Sequence, residues 1–385
     1  MEKNKTERLS NFELMRIISM FFIVLFHVRM HSGIASKVVG NNYLLLEFIT
    51  NIIVVHVNSF ILISGYFQSK SNIKVSKAIS LNNSVWFYKT VFMILAIILV
   101  NYTSIKLIGD FSTINIFKTF LPLDFGVYWY IDAYLVLYLI SPLLNKIINN
   151  VSKSEFKKII LVLLLLICII PTLTVDEVIR TNNGHSLISF ILLYFIGAYL
   201  RIYPIKDNYY FKRLTEKARQ SLFFIMIPVC SIGIMFCCIV AQRISSFGPI
   251  TSYFGQVLEM NYLNYTSPLI LIESIVYFLF FETLTIKSKF INRISKYMFG
   301  IYLIHENPFV YDNLYNYLGL TSITSVTIKT IIMIIILSII IFIVCLIIEA
   351  IRQAIFKFIY NRKISKKFRD TFKNYFKNIG LDINW

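Results

Sequence analysis

The chain of 385 residues is 57% hydrophobic and 16% aromatic, with only 15% charged residues and a formal net charge of +18. Soluble domains carry roughly 25% charged residues, so this composition excludes a water-soluble globular protein, and its apolarity excludes intrinsic disorder. With 13 Gly, 8 Pro and 5 Cys it is neither collagen-like nor a disulfide scaffold.

A membrane-spanning helix needs about 20 mostly apolar residues. Such windows lie at 12–33, 44–67, 85–106, 127–147, 158–175, 185–202, 219–242, 266–286, 293–313 and 324–350. The pattern predicts an all-α, polytopic membrane bundle of about ten transmembrane helices. The first window lacks a small-residue cleavage site and carries Glu13 and Arg16 at its start, so it reads as a span and not as a removable signal peptide. Residues 1–351 form the membrane domain and 352–385 a basic tail. Phe368, Phe372, Tyr375, Phe376 and Ile379 recur there at helical spacing, which suggests an amphipathic helix on an anionic inner leaflet. Cys168, Cys230, Cys237, Cys238 and Cys345 all fall in apolar windows without a C-x-x-C pair and read as small core residues. No phosphate-cradling glycine loop, G-x-S-x-G or H-E-x-x-H occurs, and no metal is expected.

Charge sorts by loop. With the N-terminus placed in the cytoplasm, 31 of the 38 Lys and Arg residues fall on the cytoplasmic side and 7 on the other. That is the positive-inside asymmetry. It predicts cytoplasmic N- and C-termini and assigns the basic surplus to topology, with membrane lipids as partners and no nucleic acid.

An ionisable side chain at membrane depth is costly, so each one is a candidate for function. Arg16 and His27 are eleven positions apart, which at about 100° per residue puts them on one helix face, about 16 Å apart in rise. A permanently charged guanidinium at the inner interface suits a phosphate-bearing ligand. A neutral imidazole at depth suits proton abstraction. His305 in ISKYMFGIYLIHENPF reaches a comparable depth, with Glu306 next to it and Tyr302 one turn before. His56 in span two is a third deep histidine, beside Asn58 and Ser59. Asp132, Glu273 and Glu282 are acids able to orient a histidine or pair with Arg16. His31 and His185 stand at span ends and are given surface roles.

Five segments, in order, carry a resemblance: ELMRIISMFFIVLFHV, FILISGYF, VYWYIDAYLVLYLISPLL, LLYFIGAYLR and ISKYMFGIYLIH. Together they resemble the acyltransferase-3 family, integral-membrane enzymes that O-acetylate bacterial surface polysaccharides. The resemblance implies transfer of an acetyl group from cytoplasmic acetyl-CoA to a glycan hydroxyl at or across the membrane. It places Arg16 and His27 on the family's essential Arg and His, and Ser64, Gly65 and Tyr66 on its SGF/Y element. The family often has Asp where Glu13 stands and Arg-rich sequence where this chain has Lys70 and Lys74.

On that reading Arg16, Ser64, Lys70 and Lys74 hold the CoA end, and His27 is base or acyl carrier. Glu306, Asp132 or Glu273 orients it, and Tyr302, Trp129, Asp132 and His305 line the acceptor side. The acceptor is a capsule-type or lipid-linked glycan, the location the bacterial plasma membrane, and a homodimer is left open. The alternative is an exporter of surface oligosaccharide, since buried His and acids also serve proton coupling. On the predicted topology, a fluorescent protein fused to the C-terminus is expected to fluoresce, and alkaline phosphatase fused after Lys37 to be active. The reverse pattern overturns it.

Overall fold

The computed structural model describes residues 8–103, 106–121, 127–174, 181–244, 248, 251–253, 255, 257 and 263–360. All regular structure among them is helical. The principal helices are α1 (Ser10–His31), α2 (Asn41–Ile53), α3 (His56–Gln68), α4 (Val75–Tyr102), α5 (Trp129–Asn149), α6 (Lys153–Leu164), α7 (Leu187–Ile202), α8 (Glu216–Ile244), α9 (Pro268–Glu282), α10 (Met298–His305), α11 (Pro308–Tyr317) and α12 (Ile328–Tyr360).

Seven stretches are long and apolar enough to cross a membrane by length and composition: 10–31, 41–68, 75–102, 129–149, 153–173, 216–241 and 328–359. The other three predicted spans are shorter helices. The sixth is α7 with 16 residues, the eighth is α9 with 15, and the ninth is broken. Two sequence features break it. Pro308 has no N–H to continue the ladder and sits at the first turn of α11. Asn307 caps that helix, its side-chain oxygen accepting from the Phe309 N–H at 3.1 Å. Span two is also divided, at Val54 and Val55, so that His56 opens α3. By contrast α12 runs unbroken past residue 351 to Tyr360, so the start of the expected tail continues the last span. Phe368 to Ile379 lie outside the described residues.

The buried apolar residues form two clusters, and α1 belongs to both. Its Phe12 and Met15 join α3, α7, α8 and α9 in one. Its Met20, Ile23, Val24 and Val28 join α10 and α12 in the other. The helix carrying Arg16 and His27 therefore lies on the seam between two packed halves.

The tightest crossing is α3 against α7. A Cβ on Gly65 would collide with the Tyr194 carbonyl, and one on Gly197 with the Leu62 carbonyl. Two glycines thus let two backbones touch, the small-residue contact that membrane helices favour. The Gly of the SGYF segment therefore has a structural role. At the far end of α12, Glu349 is 2% exposed and fully engaged, accepting from Tyr88 at 2.5 Å, from Arg352 at 2.6 and 2.7 Å and from Gln353 at 2.8 Å.

Gly65→Ala and Gly197→Ala are each expected to destabilise by about 1–3 kcal/mol through overpacking, read as a lowered melting temperature of the detergent-solubilised protein. Gly233→Ala, where nothing lies within 4 Å of the new Cβ, is expected to leave it unchanged.

Candidate active site

The break after α10 brings two distant pieces of chain together. His27 Nδ1 lies 3.0 Å from His305 Nε2 and 2.9 Å from Glu306 Oε2. The proton can be placed from the partners. His305 Nδ1 is 2.6 Å from the Ile301 carbonyl, which only accepts, so Nδ1 of His305 bears its proton and Nε2 its lone pair. Both neighbours of His27 Nδ1 are then acceptors, so His27 is protonated at Nδ1 and its basic nitrogen is Nε2. Its side chain is 12% exposed. A carboxylate holding a histidine by one nitrogen and leaving the other to react is the arrangement that general-base catalysis requires.

Glu306 accepts a second donor, His31 Nε2 at 3.3 Å. The His31 ring is stacked on Tyr311, with centroids 4.2 Å apart and planes 8° apart. The surface role expected for His31 is therefore corrected: its side chain is only 16% exposed. The signal was in the spacing, since residues 27 and 31 are four apart and share a face of α1. Tyr128 was also passed over in favour of its neighbour Trp129. It is fully buried, donates to the Leu303 carbonyl at 2.8 Å and accepts from Asn307 Nδ2 at 3.1 Å. It thereby fixes the chain on both sides of Glu306.

Of the expected orienting acids, Glu306 is the one at His27. Glu273 instead accepts from Ser231 Oγ at 2.5 Å, between α9 and α8. Asp132 stands half-buried in the first turn of α5. His305, expected on the acceptor side, is 1% exposed and supports His27 directly. Trp129 packs on His185, centroids 4.3 Å apart, and His185 packs on Tyr265 at 5.0 Å. The third deep histidine is held apart from the others: His56 donates from Nδ1 to the Ile53 carbonyl at 2.5 Å and accepts from the Tyr265 hydroxyl at 3.1 Å.

Arg16 pairs with Glu13 at 2.6 Å, and its guanidinium lies 5.9 Å from the Phe67 ring centroid. Lys70 and Lys74 are exposed; Lys77 lies with its Nζ 4.9 Å from the Tyr138 ring centroid. Ser64 turns its hydroxyl back to the Phe60 carbonyl at 2.9 Å. From Tyr134 a row of rings leads inward. Tyr134 stacks on Tyr130 at 5.8 Å, Tyr130 meets Tyr302 at 6.1 Å, and Tyr302 meets His305 at 6.2 Å. The row of Tyr134, Tyr130 and Tyr302 thus ends at His305, beside His27.

The donor atoms of His27, His305 and Glu306 all lie within 4.8 Å of one another, a spacing one metal ion can bridge. The expectation of no metal rested on local motifs, whereas this set draws on residues 278 positions apart. Hydrogen bonds among the same atoms also account for their approach.

Replacing Glu306 by Gln is expected to turn the His27 proton toward the wrong nitrogen and lower the catalytic rate by about 10²- to 10⁴-fold, measured as kcat on the purified protein. His31→Ala, which removes one of two donors to Glu306, is expected to cost about tenfold.

A family model described as an acyltransferase domain matches residues 9–350. Comparison with curated proteins and with solved structures gives no match. The family match covers nearly the whole chain, from the turn before α1 into α12, and includes every residue of the His27–His305–Glu306 cluster. On that ground, and with its seven long apolar helices, the chain belongs to the acyltransferase-3 family and is a multi-pass membrane acyltransferase.

Proposed function

We propose that the protein transfers an acetyl group from acetyl-CoA to a hydroxyl of a bacterial surface polysaccharide, working in the plasma membrane with about ten spans and both termini cytoplasmic. The observation that carries this reading is His27: Nδ1 held by Glu306 and His305, Nε2 left to react, and Arg16 on the same helix.

In the proposed reaction, His27 Nε2 takes the proton of the acceptor hydroxyl. The hydroxyl oxygen attacks the thioester carbonyl, and the tetrahedral intermediate collapses to an ester with loss of the CoA thiolate. The thiolate takes the proton back from the imidazolium, so the enzyme returns to its starting state. Glu306 stabilises the transient positive charge, and His305 fixes the ring against rotation. The wall formed by Tyr134, Tyr130 and Tyr302 offers an extended apolar surface for the pantetheine arm between Arg16 and His27. At the start of α5, Trp129 with Asp132 nearby suits a sugar ring, whose apolar face packs on an aromatic and whose hydroxyls seek an acceptor.

Membranes containing this protein as the sole candidate are expected to transfer label from radiolabelled acetyl-CoA to surface glycan. His27→Ala is expected to abolish transfer while leaving membrane insertion and solubilised yield intact. Retained transfer in His27→Ala, or glycan flux that ignores the acetyl donor, overturns the reading, the latter in favour of export.

A further inference from the structure

A second constellation lies at the end of the bundle opposite His27. The first turn of α1, the segment 203–219 and the segment 283–292 enclose a cavity of about 790 Å³, within the range of small-molecule and cofactor pockets. Arg8, Lys206, Arg219, Lys287 and Lys289 line it. Two acids, Glu216 and Glu282, face the same space, and Glu282 is already engaged by the Tyr66 hydroxyl at 3.4 Å. Bases therefore outnumber acids five to two; Lys287 and Lys289 have no ion-pair partner among the described residues, while Lys206 lies in the field of Glu282. Cations that outnumber the acids around a cavity repel one another until an anion enters.

Two further features narrow the ligand. Helix α1 begins at the cavity without a side-chain cap, so its first N–H groups and the positive end of its dipole add to the anion-attracting field. Leu9, Phe12, Ile205 and Leu284 supply an apolar wall beside the cations, which a bare phosphate does not need and a purine does. The cavity is also tied to the proposed donor route. Arg8 and Arg16 share Glu13, at 3.7 and 2.6 Å, so one carboxylate links the cavity rim to Arg16 on the helix that carries His27.

We propose that this cavity, and not the exposed Lys70 and Lys74, seats the nucleotide polyphosphate end of the acyl donor. The proposal rests on the acyl-transfer reading above and adds the location and the residues of the donor site.

The test uses the full chain in phosphatidylcholine nanodiscs, with calorimetric titration of CoA, adenosine 3′,5′-diphosphate and pantetheine. CoA and the adenosine diphosphate are expected to bind and pantetheine to bind far more weakly. The triple variant Lys206→Ala/Lys287→Ala/Lys289→Ala is expected to weaken both nucleotide ligands by about tenfold or more. Its KM for acetyl-CoA should rise in parallel while kcat stays near wild type, which a merely structural role of these lysines does not produce. Lys157→Ala/Lys158→Ala, on the exposed start of α6, removes similar charge elsewhere and is expected to change neither affinity nor KM. Wild-type affinity in the triple variant overturns the site while leaving acyl transfer through His27 standing. Loss of nucleotide binding when phosphatidylglycerol is added to the nanodisc also overturns it, and assigns the cavity to an anionic lipid headgroup. Failure of the wild-type protein to use acetyl-CoA at all is the distinct outcome that removes the underlying reading.

Discussion

A carboxylate buried in protein and largely shut off from water must be surrounded with donors of the protein's own. Glu306 is where that requirement shapes this molecule. Its donors, His27 and His31, come from the first helix, while Glu306 itself stands where the helix after residue 297 stops. Satisfying the charge therefore pulls the two ends of the chain together. The same constraint fixes which nitrogen of His27 carries the proton. A need that arises from desolvation becomes a defined acid–base geometry.

The interruption at Glu306 and Asn307 is itself tolerable only because it is buried in protein. Buried backbone outside a helix needs internal partners, and Tyr128 supplies them, donating to Leu303 and accepting from Asn307. Asn307 and Pro308 then restart the helix with a cap and a residue that needs no donor. Polar groups elsewhere in the bundle are handled by the same economy. Glu349 is matched by Tyr88, Arg352 and Gln353, and His56 is satisfied at both ring nitrogens. What sets the His27 cluster apart is that His27 Nε2 has no hydrogen-bond partner among the described residues.

Much of this was legible in the order of residues. Eleven-residue spacing put Arg16 and His27 on one face of a helix, and α1 indeed carries both along the seam between the two apolar clusters. Glu306 beside His305 was visible as an acid at depth, though Asp132 and Glu273 were equal candidates until the fold separated them. His31 was misread because its position at a span end was weighed above its i, i+4 relation to His27. Tyr128 was hidden in an aromatic run in which Trp129 drew attention. Gly65 stood in a recognisable segment, but its work, letting α3 touch Tyr194, concerns a helix more than a hundred positions away.

Composition and hydropathy by themselves determined that the chain is a helical membrane protein and that some of its histidines and acids are buried, because hydropathy and the cost of burying charge act locally along the chain. An apolar window does not say where Asn307–Pro308 or Val54–Val55 will interrupt a helix. Only the tertiary structure decided which acid meets which histidine, which nitrogen is free, and which lysines face a common cavity. Those outcomes depend on contacts between residues as far apart as 27 and 305. No periodicity within one helix encodes the neighbour that packing will set against it.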